Sequence, residues 1–325
     1  MERRLAGPCR ASILLVVSLL ALGGGSCRRR QAVGGSGISA RAGVRPATVA
    51  AGSPFAVDYS WTMGGDATAP AEGYEAFVHF VHPDGAIAFT DDHVPDPPPP
   101  SWRPGQTYGY THTLFAPAGA FPGKLQVRVG LFHPQRGRLG LTGTDAGLQE
   151  YVAGEVEVAP GDDRRRLRYG AGWYPPDAPP GDPFGDRRWI RPEAWLAFRN
   201  REEDVIAVLR AETNYKAFAR PPVLTLAVGP AAASVPIASS APFETAVRFP
   251  AAALGKERWA ELKLAMNGSF VPSLLGMNAD QRELGLWVHH VFVGPAHEVE
   301  PVLAPALKPI RAAPAGALPA AQKSK

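Results

Sequence analysis

Cysteine is almost absent from this chain: only Cys9 and Cys27 occur in 325 residues. A framework of internal disulfides is therefore excluded as the source of its stability. Charge is sparse as well. Charged residues make up 20% of the chain with a net charge of +4, and the arginines and lysines are scattered rather than gathered on one helix. That pattern argues against a nucleic-acid partner, which would call for a basic face. Long apolar runs are missing too. "ASILLVVSLLAL", from Ala11 to Leu22, has twelve residues, whereas a helix crossing about 30 Å of hydrocarbon needs about 20. Four catalytic signatures are also lacking: the nucleophile elbow G-x-S-x-G, the zinc helix H-E-x-x-H, the P-loop, and G-x-G-x-x-G after a strand. With no such motif, no catalytic residue and no cofactor are assigned, and the chain reads as a non-enzyme.

What the chain has in quantity is apolar residues, at 45%, together with 35 glycines and 34 prolines. The first is enough for two cores, and the second favours many turns and few long helices, so the expected class is all-β. Strand-length apolar or alternating segments fall in two groups. "SPFAVDYSW" (53–61), "YEAFVHFVH" (74–82), "AIAFTDDH" (86–93), "TYGYTHTLF" (107–115), "KLQVRVGLF" (124–132) and "QEYVAGEVEV" (149–158) form the first. "EAWLAF" (193–198), "EDVIAVLRAET" (203–213), "PVLTLAV" (222–228), "ETAVRFP" (244–250), "WAELKLAM" (259–266) and "LGLWVHHVFV" (284–293) form the second. Two tandem antiparallel β-sandwiches follow, an Ig-like one over 46–159 and a jelly-roll-like one over 169–296, joined by a linker at 160–168. Residues 27–45 read as a flexible tether and the Pro/Ala-rich residues 297–325 as a disordered tail.

The N-terminus is the most specific signal. Arg3, Arg4 and Arg10 precede the apolar dozen, and the small residues "GGGS" lead into Cys27. This arrangement of residues 1–26 resembles the signal peptide and lipobox of bacterial lipoproteins; Gly25, Ser26 and Cys27 match it, while Gly24 stands where leucine is usual. The resemblance implies acylation of Cys27, a palmitate-type lipid anchor in a membrane of the bacterial cell envelope, and Arg28, Arg29 and Arg30 at the headgroups.

"FVHFVHPDGAIAFTDDH" (77–93) holds three histidines and three aspartates in seventeen positions, which raises the question of a metal. In a strand, His79 shares a face with Phe77 and Val81, the expected inner face, and His82 points the other way. Depending on the length of the hairpin loop, either Asp91 or Asp92 reaches the His79 face. A polar pair, His79 with Asp91, is the reading adopted. His93 and His112 are the candidates for a third metal ligand, but His93 lies roughly 13 Å further along the strand at 3.3 Å per residue, so no metal site is assigned in the chain.

The first group of strands carries a further likeness. "FVHFVHPDGAIAFTDD", "PSWRPGQTY" and "FPGKLQVRVGLFHPQRGRLGL" resemble the β-sandwich modules at the C-termini of bacterial membrane glycosyltransferases and related envelope proteins, over residues 46–158. Gln106 and Leu125 depart from that pattern. "GWYPPD" and "DQRELGLWVHHVFV" are similar to an accessory sandwich of such proteins, over 169–294. The resemblance implies a non-catalytic accessory fold.

The candidate binding residues are Trp173, Tyr174, Asp186, Arg188 and Trp189, in the loop-rich stretch 169–192. Flat aromatic rings stack on the apolar faces of sugars while Asp and Arg bind hydroxyls, so a glycan or envelope polysaccharide is the first expected ligand. A protein-assembly scaffold for another envelope protein is the second reading and a glycan-processing hydrolase the third. Trp195 is expected to pack inward and Trp102 to anchor its loop.

Overall fold

A computed structural model of the chain describes residues 35–162, 166–177 and 187–314. The leader, Cys27 with the three arginines after it, Asp163, Asp186 and residues 315–325 lie outside the described residues. The chain is all-β, in two sandwiches. Among the described residues no helix is long and apolar enough to cross a membrane.

The first sandwich uses β1 (Ile38–Arg45), β2 (Thr48–Ala50), β3 (Pro54–Met63), β4 (Glu75–Val81), β5 (Ile87–Thr90), β6 (Thr107–Phe115), β7 (Gly123–His133), β8 (Gly137–Leu139), β9 (Asp145–Gly147) and β10 (Glu150–Ala159). One sheet runs β1-β3-β6 and the other β2-β10-β7-β4-β5. Alternation drives the packing: Phe55, Val57, Tyr59, Trp61 and Met63 of β3 all point into the core, against Ala76, Val78 and Phe80 of β4 and Leu125, Val127, Val129 and Leu131 of β7. Full burial of each large side chain here contributes roughly 2–3 kcal/mol. Trp102 is wholly buried, with its indole Nε1 donating to the Pro97 carbonyl at 2.8 Å, and so anchors the proline-rich loop.

The second sandwich uses β11 (Arg168–Tyr169), β12 (Arg188–Ile190), β13 (Glu193–Arg199), β14 (Val205–Glu212), β15 (Val223–Val228), β16 (Ala231–Pro236), β17 (Phe243–Phe249), β18 (Trp259–Met266), β19 (Leu286–Pro295), β20 (Ile310–Arg311) and β21 (Ala313–Pro314). Its sheets run β11-β13-β18-β15-β16-β21 and β12-β19-β14-β17-β20. Pairing is antiparallel except where β2 meets β10 and β20 meets β17. Leu196, Phe198, Leu226 and Leu264 of one sheet pack on Val205, Leu209, Phe249 and Val293 of the other. Trp195 lies on the opposite, outer face, with Lys263 Nζ 5.2 Å from its ring centroid, because Ala194, Leu196 and Phe198 take the inward positions.

Three further sequence expectations change. Ile38–Arg45, placed in a flexible tether, is strand β1, paired along its length with β3. Residues 297–325, read as a disordered tail, include, within the described part, most of the one-turn helix α1 (Ala296–Val299), a 3-10 turn (Glu300–Val302) and the edge strands β20 and β21. The core face of β4 is Ala76, Val78 and Phe80, not the face carrying Phe77, His79 and Val81. "AFVHFV" is apolar on both faces, so alternation alone does not orient it.

The second sandwich is apolar on a second face as well. Ile206 and Val208 of β14, Ala246 and Phe292 form an outer cluster with Phe115 from the first sandwich and Ala296, Val299 and Leu303 from the C-terminal segment. That double burial explains why β14, "VIAVLRAE", opens as an uninterrupted apolar run.

Candidate functional site

β5 and β6 are edge strands of opposite sheets, so the first sandwich has an open side between them. The chain after β5 closes it. Asp91 N donates to the Val78 carbonyl at 2.9 Å, Val78 N donates to Asp92 Oδ1 at 3.0 Å, and His93 exchanges backbone bonds with Ala76. With Asp92 bound to the β4 backbone, Asp91 turns inward beside Tyr59. Tyr59 Oη donates to Asp91 Oδ2 at 2.9 Å, and His112 Nδ1 lies 2.9 Å from the same oxygen. His93 Nδ1 is 2.7 Å from the Asp91 carbonyl, and its Nε2 is 2.6 Å from Tyr110 Oη, which accepts from Trp61 Nε1 at 3.1 Å. The result is a connected polar network sealing an aromatic core.

Burial pushes the Asp91 carboxyl up, but hydrogen bonds from His112 and His93 outweigh it and hold the group well below the usual carboxylate range. Burial and the neighbouring Asp91 charge push the Tyr59 phenol well above its ordinary value, and Tyr110 moves the same way, burial again being the main cause. Both phenols are therefore fixed as neutral hydrogen-bonding groups.

The expected pair of His79 with Asp91 does not form. His79 sits opposite Thr90 on the other face of β4, and its Nδ1 lies 3.1 Å from Glu150 Oε1 of β10. Arg138 Nη1 donates to the same oxygen at 3.1 Å, and the Arg138 guanidinium lies 4.2 Å from the Phe77 ring centroid. His79 thus belongs to a structural cluster under the β8 and β9 strands. The residues that do converge are Asp91, His93 and His112, whose ligand atoms all lie within 4.8 Å of one another.

Of the aromatic candidates, Trp173 and Tyr174 are held by the fold. Trp173 packs on the second core and its Nε1 donates to the Trp195 carbonyl at 2.8 Å. Tyr174 Oη donates to the Glu283 carbonyl at 3.0 Å, and Arg191 and Arg282 flank its ring at 5.1 and 5.3 Å. Arg188 and Trp189 are neighbours in β12 and so project to opposite faces. Arg188 lies 4.4 Å from the Tyr169 ring. Trp189 pairs across strands with Trp287, the two indoles nearly parallel at 13° with centroids 5.9 Å apart. Asp186 lies outside the described residues. The four described candidates therefore do not make one rim.

A cleft that the linear sequence does not announce lies between the two sandwiches. Its floor is the outer face of β14, β17 and β19, and its roof is Thr90–Asp92 with the end of β6. One chamber, of about 310 Å³, is lined by Asp91, Asp92, Arg187, Arg210, His289 and His290 among others. The adjoining one, of about 510 Å³, shares Asp91, Asp92 and Arg210 and adds His93, His112 and Glu244. Burial raises the Glu244 carboxyl above its ordinary value, although 31% of its side chain stays exposed beside Arg210. At the end of the first chamber His289 meets the Trp287 ring edge-on at 4.8 Å, and Arg187 lies 5.9 Å from it, so the indole pair adjoins the cleft. Trp287 Nε1 is buried and finds no acceptor among the described residues.

No protein-family description matches the chain, and no curated protein matches it. Solved structures align over most of its length but loosely. The Bacteroides ovatus mixed-linkage glucan utilization locus protein SGBP-B, solved with a mixed-linkage heptasaccharide, aligns at 11% identity and a TM-score of 0.22, over 76% of this chain and 51% of that one. Tripeptidyl peptidase 2 aligns at 12% identity and 0.20, over 79% and 20%, and the collagen adhesin of S. aureus at 9% and 0.16, over 72% and 83%. The chain thus spans about half the length of the SGBP-B chain and about a fifth of that of tripeptidyl peptidase 2. At these scores the alignments carry no argument about fold or function.

Proposed function

We propose that this chain is a non-catalytic binding protein of the bacterial cell envelope whose ligand is a saccharide chain lying in the cleft between the two sandwiches. One observation carries the reading: a near-parallel indole pair, Trp189 and Trp287, adjoins a cleft lined by Asp91, Asp92, Glu244, Arg187 and Arg210. Aromatic faces supply stacking surface for pyranose rings, and carboxylates and guanidinium groups supply acceptors and donors for hydroxyls. Trp189, Arg210, Glu244 and Trp287 stand on strands, which pre-organises that side of the site. The leader and Cys27 support the envelope location.

The test is calorimetric and fluorescence titration with a panel of soluble neutral and acidic polysaccharides. A saturable change is expected for at least one, with Trp189→Ala weakening it about tenfold, the order of one lost stacking contact. No member of the panel binding tighter than about millimolar, where affinity is only about 4 kcal/mol, overturns the reading. A scaffold role has its own support: Leu274, Leu275 and Met277 project an exposed apolar knob, 83%, 51% and 46% accessible. Specific membrane-protein partners lost on Leu274→Asp would favour that role.

A further inference from the structure

The network at the open side of the first sandwich has the makings of a metal centre. Asp91, His93 and His112 come from two edge segments of opposite sheets, yet aim ligand atoms at one point. Asp91 Oδ2 lies 2.9 Å from His112 Nδ1 and 3.4 Å from His93 Nδ1, and the two imidazole centroids are 4.1 Å apart. In a tetrahedral zinc site with bonds of about 2.0–2.1 Å, neighbouring ligand atoms stand about 3.3 Å apart, and the two carboxylate–imidazole separations lie on either side of that edge.

Hydrogen bonding alone accounts for part of this. Tyr59 and His112 fill the two lone pairs of Asp91 Oδ2, and His93 Nδ1 donates to the Asp91 carbonyl. His93 Nδ1 also approaches Oδ2 at 3.4 Å, so both imidazoles converge on one carboxylate oxygen. The surroundings suit a cation: Asp91 and His93 side chains are each 11% exposed, so the ligands are held by packing. Asp92, Asp96 and Glu244 add carboxylates to the cavity wall, and that cavity of about 510 Å³ gives a route in and room for a further ligand.

We infer that Asp91, His93 and His112 bind one divalent transition-metal ion of the zinc class, with a coordination position open to the cleft. Two imidazoles and one carboxylate select a borderline ion over calcium or magnesium, which take oxygen. Binding moves the ring protons of both His93 and His112 from Nδ1 to Nε2, which frees each Nδ1 lone pair; for His93, Tyr110 Oη, already 2.6 Å from Nε2, accepts the proton in a hydrogen bond. Tyr110 thereby becomes the partner that orients a ligating histidine. The site shares Asp91 with the saccharide cleft, but its test reads metal uptake alone.

The test uses the full chain, stripped with chelator and titrated with Co²⁺ by visible absorption and with Zn²⁺ by calorimetry. One saturable equivalent with tetrahedral d–d bands is expected, together with a switch of the His93 tautomer in ¹⁵N-resolved spectra. His112→Ala, at a side chain 31% exposed and so tolerant of change, should weaken binding by more than the roughly 10–100-fold that losing an outer partner costs. His289→Ala, in the neighbouring chamber, should leave it unchanged. Failure of the wild-type chain to take up an equivalent overturns the inference. So does equal binding by wild type and His112→Ala, or loss of binding in His289→Ala alone. Because the tautomer switch is read on the wild-type chain, the test does not depend on any variant folding.

Discussion

His79 shows how a polar residue on a buried sheet is satisfied. Its partner, Glu150, is 13% exposed and also draws Arg138 at 3.1 Å and Arg128 at 3.8 Å, so one carboxylate neutralises the underside of the β8 and β9 strands. Glu150→Ala should therefore cost about 3 kcal/mol in urea unfolding, because it leaves two guanidinium groups without their counterion in a semi-buried place. His79→Ala should cost less. A double-mutant cycle distinguishes the partners: His79 and Glu150 should couple by about 0.5–3 kcal/mol, and His79 and Asp91 should be additive. The sequence made plain that His79 needed a polar partner and that a carboxylate would supply it. It did not show which one. Glu150 is distant in sequence and becomes a neighbour only through the pairing of β4 with β7 and of β7 with β10, whereas Asp91 is close along the chain and was the natural choice.

At the scale of elements, what could be read was periodicity, and what could not was the edges. β3, "PFAVDYSWTM", alternates large apolar residues and was found. β1, "ISARAGVR", alternates Ile38, Ala40, Ala42 and Val44, mostly small, and by composition reads as a tether. The small residues have a reason: an added Cβ on Gly154 of β10 would come within 2.1 Å of the Ala42 carbonyl oxygen, so the two sheets meet here backbone to backbone. Gly154→Ala should force β1 away and destabilise the first sandwich by about 1–3 kcal/mol, as overpacking does, seen as a lower midpoint in denaturant. Another element-level device ties β17 to the C-terminal segment. Asp204 accepts from Ala251 N at 2.9 Å and from Arg248, which also reaches Glu300 at 3.1 Å. The Ala251 amide first, and Arg248 second, hold the Asp204 carboxyl below its usual value. A depressed pKa means that its stabilisation is present above an ordinary carboxylate value of about 4 and is lost as pH falls through the folded value. Asp204→Asn should therefore be less stable than wild type at neutral pH, and the two unfolding curves should converge as pH falls through the lowered folded value. A gap that persisted at acid pH would refute the assignment.

For the molecule as a whole, the sandwiches were legible and their union was not, since it rests on single residues far apart in sequence. Phe115 at the end of β6 enters the cluster on the outer face of β14 and β19 and lies 3.9 Å from the His290 ring. Thr113 Oγ1 donates to the Val302 carbonyl at 3.1 Å and accepts from Ala304 N at 2.6 Å, so the C-terminal segment is bonded to the first sandwich while Ala296, Val299 and Leu303 pack on the second. A segment read as a disordered tail is thus the wedge that joins the halves and walls the cleft through Ala304 and Leu307. The sequence hid it because Pro and Ala carry no helical or strand period. Deleting residues 296–325 uncovers Ile206, Val208 and Phe292 and breaks the Thr113 bridge, which removes the contacts that make the two cores unfold together. Calorimetry should show one transition for the intact chain and two separated ones for the truncated chain, with Phe115→Ala between them, lowering stability by about 3 kcal/mol. Two resolved transitions in the intact chain would mean that the outer cluster does not couple the sandwiches, and the cleft would then not be a fixed site.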